Sequence, residues 1–137
     1  MMKRREFITS TAALAVLPTI SLASETLEYT PGLVKERLAA GDIVFLDFKA
    51  SWCTTCRAQE RVIGNLRSEN PAYDEAITFI NVDWDEYGRS ELARDLNIPR
   101  RSTLVVMKGD QELGRVVART STADIQALMD TALNATS

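Results

Sequence analysis

Apolar residues along this chain gather in short blocks, and the spacing inside each block marks out an element. Ile43-Val44-Phe45-Leu46-Asp47-Phe48 is a nearly continuous apolar run, the pattern of a strand covered on both faces, and Asp47 is the exception in it. Ile77–Asp83 is a second strand. Thr103 to Met107, a turn around Gly109-Asp110, and Leu113 to Ala118 read as a hairpin. Elsewhere the period becomes helical. After Pro31, a good first-turn residue, Leu33, Val34, Arg37 and Leu38 predict a short helix ending near Gly41. Ala58, Val62, Ile63 and Leu66 predict a longer one that stops at Asn70-Pro71, with Gly64 a point where it could kink. Ser90 to Asp95 gives another short helix. Ile125, Leu128, Met129, Ala132 and Leu133 mark the inner face of a closing helix, capped by Ser121 or Thr122. Glu25 to Tyr29 reads as an ordered lead-in with a short edge strand. The order is helix, strand, helix, strand, helix, hairpin, helix. It predicts an α/β fold, a central mixed sheet with an antiparallel edge and helices on both faces.

Both cysteines lie in Trp52-Cys53-Thr54-Thr55-Cys56, where the first long strand gives way to the longer helix. Two cysteines three apart at a helix start share one face, within the roughly 4.4–6.8 Å Cα separation that a disulfide requires. Such a pair can open and close with little backbone movement. Unpaired N–H groups and the positive end of the helix dipole favour an anion there. Cys53 is therefore the expected attacking sulfur and Cys56 the resolving one. A zinc knuckle needs four ligands, and this chain has two Cys and no His. A purely structural disulfide would close a very small loop, where the stabilisation is least. Redox exchange is the reading that remains. Asp47, a carboxyl within an apolar strand, should have its pKa raised by desolvation and could take the proton of Cys56 during resolution. Its other reading is an acid that ends a strand at the rim.

The first residues stand apart. A basic start, Met1 to Glu6, precedes an apolar stretch from Phe7 to Leu22, and Ser21-Leu22-Ala23 offers a small-x-Ala cleavage site. Residues 1–23 thus read as a cleavable export signal ahead of a domain at 24–137, and the expected location is the bacterial periplasm. An uncleaved membrane anchor is the alternative. However, Thr9, Ser10, Thr11, Pro18, Thr19 and Ser21 interrupt the stretch, whereas a span needs about 20 mainly apolar residues. Arg4-Arg5-Glu6-Phe7-Ile8 resembles the twin-arginine export motif, with an ordinary secretory signal as the alternative. At 137 residues and 45% hydrophobic content the chain can bury one core, as a single domain. The formal charge of −3 becomes −5 once residues 1–23, with three positive charges and one negative, are removed. A domain this acidic is a poor binder of nucleic acid or anionic membranes.

From about Leu27 to Leu133 the chain resembles the thioredoxin family. The most specific match is Leu46-Asp47-Phe48-Lys49-Ala50-Ser51-Trp52-Cys53-Thr54-Thr55-Cys56, and Asn81-Val82-Asp83 and the run from Thr103 to Gly109 add to it. The resemblance implies a thioredoxin-like three-layer sandwich and thiol:disulfide oxidoreductase chemistry. In it Cys53 attacks a substrate disulfide, Cys56 resolves the mixed disulfide, and Asp47 matches the family's buried acid beneath the second cysteine. It also implies a substrate groove at Trp52, Thr54, Thr55, Arg101, Ser102 and Thr103, with Trp52 covering the disulfide. Trp84, between Asp83 and Asp85, is expected to pack within a loop.

Three positions depart from the family pattern. Phe79 stands where thioredoxins commonly place a lysine near the buried acid, which should leave Asp47 harder to ionise. Ser102 aligns with the family's cis-proline. A cis bond before Ser costs about 2.5–4 kcal/mol, against about 0.5–1 before proline, so Arg101–Ser102 is expected to be trans. Pro99 with a shifted loop is the alternative. Finally, Thr54-Thr55 matches neither the Gly-Pro of general reducing thioredoxins nor the His-containing pairs of strong oxidants, and the missing His leans the chemistry toward reduction or isomerisation.

The expected function is that of an exported, monomeric oxidoreductase that reduces disulfides of exported proteins. It would need no bound cofactor and no metal, and a membrane-embedded electron donor would keep it reduced. Two other readings remain. One is the same chemistry run in reverse, as a disulfide donor. The other is a binding module whose cysteines hold a partner or, across a dimer, a metal. Arg57, Arg100, Arg101 and Arg119 are expected to form a basic rim near the cysteines, or else to be solvated with no role.

Overall fold

The computed structural model describes residues 25–136. The proposed export segment, residues 1–23, lies outside them. Among the described residues the sheet has five strands, in the order β1-β3-β2-β4-β5. β2 (Ile43–Lys49) and β3 (Ile77–Asp83) run parallel at the centre, in register from Ile43 opposite Ile77 to Lys49 opposite Asp83. The short β1 (Leu27–Glu28) adds to β3 in parallel. β4 (Thr103–Lys108) pairs antiparallel with β2, and β5 (Gln111–Val117) antiparallel with β4, with a register shift at Val106/Met107.

The alternation of β2 divides the core. Ile43 and Phe45 face one cluster, which α2 (Thr54–Glu69), α3 (Ala72–Ala76) and α6 (Thr122–Asn134) complete with Ile63, Tyr73, Ile125 and Met129. Val44, Leu46 and Phe48 face the other, covered by α1 (Leu33–Ala39), α4 (Trp84–Tyr87) and α5 (Glu91–Asp95) through Val34, Ala93 and partly buried neighbours. This is the three-layer arrangement expected of the chain, and the nearly continuous apolar run of β2 follows from its being buried on both faces.

The predicted elements are present, with Ser90 capping α5 through Ala93 N–H and Ser121 capping α6 through Asp124 N–H. Two short helices, α3 and α4, were not anticipated. Each is too short to show a helical period, and α4 forms because Asp83 accepts the N–H of Asp85. The helix expected to weaken at Gly64 runs unbroken from Thr54 to Glu69. Its inner face also differs from the expectation. The buried positions are Cys56, Gln59, Ile63 and Leu66, while Ala58 and Val62 are only partly covered. No described helix is long and apolar enough to cross a membrane.

Candidate redox site

β2 carries the chain up to Ala50, and a turn delivers Cys53 to the N-cap position of α2. In this place its sulfur meets one of the orphan N–H groups that every helix start exposes, and Cys56 N donates to Cys53 Sγ at 3.1 Å. The two cysteines form a disulfide, with Cα atoms 5.2 Å apart. Cys53 retains 2% exposure and Cys56 none. If the bond is reduced, the same N–H can be offered to Cys53 Sγ, an asymmetry of the kind that favours a thiolate.

Ser102 closes the site from the loop before β4. It is fully buried, and its Oγ lies 3.2 Å from Cys53 Sγ and 3.1 Å from Cys56 Sγ. Ser102, rather than the exposed Pro99, thus faces the cysteines. The Arg101–Ser102 peptide is trans, and Ser102 instead reaches its place with φ at 65°, in the left-handed region that residues with a Cβ seldom occupy. Its backbone is fully engaged. Ser102 N donates to Phe48 O at 2.7 Å, and its carbonyl accepts from Ala118 N at 2.9 Å and from Gln59 Nε2 at 3.0 Å.

Gln59 was not among the residues anticipated. Completely buried, it also donates to Arg119 O at 3.0 Å, so one amide ties α2 to the loops on either side of the hairpin. The signal was present in the sequence, because position 59 falls on the helical face of Cys56, Ile63 and Leu66, where a polar residue must find partners. The structure also exchanges the roles expected of the two tryptophans. Trp84 opens α4, packs edge-on against Phe48 at 6.5 Å between ring centroids, and covers the cluster of Ala50, Cys53 and Cys56. Trp52 is instead 52% exposed, with its indole N–H shared between the two carboxylate oxygens of Asp85 at 2.9 and 3.1 Å. Arg101 lies over its ring at 4.4 Å.

The remaining groove candidates separate by depth. Thr54 is exposed and Thr55 partly so, on the first turn of α2. Thr103 is fully buried and donates to Arg100 O at 2.7 Å, bracing the loop from within. Among the arginines, Arg119 approaches Asp124 at 3.8 Å, Arg57 is exposed on α2, and Arg100 Nε donates to Arg101 O at 3.0 Å.

Asp47 is 4% exposed, on the α2 side of the sheet. Its Oδ1 has no hydrogen-bond partner. It opens onto a cavity of about 170 Å³ lined also by Thr26, Glu60, Gly64, Arg67 and Asn81. Burial raises its pKa to about 7, opposed by the positive charge of Lys49 and reinforced by the negative charges of Glu60 and Glu28. Phe79 leaves no cation at its own position. It packs against Phe45 with ring centroids 5.2 Å apart and the rings tilted by 45°, and the Arg67 guanidinium lies 4.1 Å over its ring. The cation beside Asp47 is Lys49, two residues along the same strand, which is ion-paired with Glu60. No group of three or more His, Cys, Asp or Glu among the described residues is placed to hold a metal ion.

The chain is similar to known proteins in sequence and in fold. The thioredoxin family model matches residues 25–131. Thioredoxin H2-1 of Oryza sativa subsp. japonica is 35% identical over 75 residues, 55% of this chain and 50% of that protein. Thioredoxin-2 of Saccharomyces cerevisiae is 34% identical over 92 residues, 66% of this chain and 83% of that one. The chain spans about half the length of the rice relatives it matches. Among solved structures, Trxlp from Edwardsiella tarda superposes with a TM-score of 0.64 at 27% identity, covering 75% of this chain and 98% of that one. Reduced Schistosoma mansoni thioredoxin pre-protein gives 0.62 at 28% identity, covering 78% and 97%.

Proposed function

Because this chain belongs to the thioredoxin family, we propose that it is an exported thiol:disulfide oxidoreductase that reduces disulfides of exported proteins. The observation that carries the reading is Cys53 at the N-cap of α2, disulfide-bonded to Cys56, with a backbone N–H and the Ser102 hydroxyl directed at its sulfur.

In the reduced protein, the Cys53 thiolate attacks one sulfur of a substrate disulfide and displaces the other as thiolate. A mixed disulfide results. Asp47, whose pKa of about 7 lets it exchange a proton near neutral pH, takes the Cys56 proton. The Cys56 thiolate then attacks Cys53 Sγ, releasing the second substrate thiol and regenerating the Cys53–Cys56 disulfide. Two electrons have passed to the substrate, and an outside dithiol, by this reading a membrane-embedded donor, returns them.

The reducing direction is supported by what holds Cys53. Its partners in the structure are neutral, a backbone N–H and a hydroxyl, and Thr54-Thr55 contributes no imidazole. A strong oxidant requires more stabilisation of the thiolate than neutral donors supply. Export is supported by the composition of residues 1–23 alone.

The test is the reduction potential of the Cys53–Cys56 pair, measured by equilibration with glutathione or dithiothreitol buffers. A value near the thioredoxin end, about −270 mV, agrees with a reductant. One near −120 mV would reverse the direction and make the protein a disulfide donor.

A further inference from the structure

Around the disulfide, one cation is seated differently from the rest. Arg101 immediately precedes Ser102, whose hydroxyl touches both sulfurs, so its backbone is fixed one residue from the reacting atoms. Its guanidinium carbon lies 4.4 Å over the exposed ring of Trp52. That ring is itself anchored, because its N–H is bonded to both oxygens of Asp85. The three residues form a platform in which Asp85 fixes Trp52 and Trp52 supports Arg101.

Among the described residues no acceptor takes up the charge: the Arg101 side chain makes no hydrogen bond or ion pair, and its Nε–H is buried without a partner. Asp85, the carboxylate of the platform, accepts the indole N–H on its two oxygens and makes no ion pair with Arg101. Arg119, by contrast, has Asp124. A guanidinium resting over an aromatic ring spends none of its N–H donors on it, which leaves the terminal N–H fork available. That fork has the geometry to grip a carboxylate with two parallel bonds. The loop beneath is held too, because Arg100 Nε occupies the Arg101 carbonyl and Gln59 the Ser102 carbonyl. A fixed donor pair loses little freedom on binding, which favours selection over mere attraction.

We propose that Arg101 recognises a carboxylate, selecting disulfide substrates that carry an acidic residue one or two positions from the cysteine under attack. The inference rests on the oxidoreductase reading and adds the class of substrate to it.

Three peptide disulfides that differ only in having Glu, Gln or Lys beside the cysteine test it, with the second-order rate of their reduction by the dithiol protein as readout. Glu should exceed Gln by about tenfold, the size of one charge-assisted contact, with Lys slowest. In Arg101→Gln the Glu/Gln ratio should fall to near one, whatever happens to the absolute rates, and in Arg57→Gln it should persist. A ratio that survives in Arg101→Gln, with all peptides slowed alike, would mean that Arg101 only tunes the thiol, and would overturn the proposal. So would equal loss in Arg57→Gln, the mark of a diffuse field. If the wild-type protein reduces the Gln peptide but shows no preference, the inference fails while the oxidoreductase reading stands. If it reduces none of them, both fail.

Discussion

Two buried polar side chains, Ser102 against the disulfide and Asp47 in the strand that leads to it, are treated by the fold in opposite ways. Ser102 is saturated. Its N–H, its carbonyl and its hydroxyl all have partners, two of them the sulfurs themselves. Asp47, nearly as deep, has an unpartnered Oδ1 facing a cavity. A saturated group resists displacement, because any movement breaks several bonds without water to replace them. An unsaturated buried carboxyl favours its neutral form, so it responds to pH. Ser102 is therefore held in one geometry, whereas Asp47 changes its charge with pH.

The largest expected effect lies on the Asp47 side. Its pKa of about 7 in the fold lies above the ordinary value of 3.8, so at intermediate pH the folded protein holds a proton that the unfolded chain releases. The stability contributed by that proton is complete below about pH 4 and is lost as pH rises toward 7, amounting to up to about 4 kcal/mol. Asp47→Asn keeps the shape and abolishes the titration. Urea unfolding at pH 5 and pH 8 should show the wild type losing several-fold more stability than the variant between the two. An equal loss in both proteins would place the pH dependence elsewhere.

The two sides were not equally legible in the sequence. Asp47 stood out as the one acid in an apolar strand, so its burial and the direction of its pKa followed from β2 alone. The cysteine pair and its place at a helix start were readable for the same reason, since spacing and local pattern suffice for them. The Ser102 side depends on contacts between distant segments. Gln59 meets Ser102 across 43 positions and Arg119 across 60, and no local pattern encodes such pairings. The exchange of Trp52 and Trp84 had the same origin. Which indole covers the sulfurs depends on where α4 sits, and a helix of four residues has no periodicity to announce it. Lys49 illustrates the point in reverse. The loss of a cation at position 79 was visible, whereas its replacement from the same strand emerged only with the sheet register and the ion pair to Glu60.

A smaller effect tests the Ser102 side. Once the disulfide opens, the hydroxyl can donate to only one sulfur at a time, and the Cys53 thiolate is the charged acceptor. Ser102→Ala removes that donor. Losing a hydrogen bond to a charged group should raise the Cys53 pKa by about one unit. The potential of the pair should become more negative by about 30 mV. Thiolate absorbance followed against pH measures the first and buffer equilibration the second. An unchanged thiol pKa would mean that the hydroxyl only fills space between the sulfurs.

The finest distinction is between the hydroxyl and the strained backbone that aims it. Ser102 and Ala118 both occupy the left-handed region, at φ 65° and 58°, and they are joined by the bond from Ala118 N to Ser102 O. For a residue with a Cβ that conformation costs roughly 1 kcal/mol. At Ser102 the cost is offset by a directed donor at two sulfurs, whereas at Ala118 the methyl brings no comparable contact. Ala118→Gly should therefore stabilise the protein, by about 0.5 kcal/mol once the greater freedom of glycine in the unfolded chain is subtracted. The Cys53 pKa should not move. If it rose as in Ser102→Ala, the strained pair of loops, not the hydroxyl, would be what sets the sulfur's surroundings. Unfolding curves and thiolate titrations of the two variants side by side separate these cases.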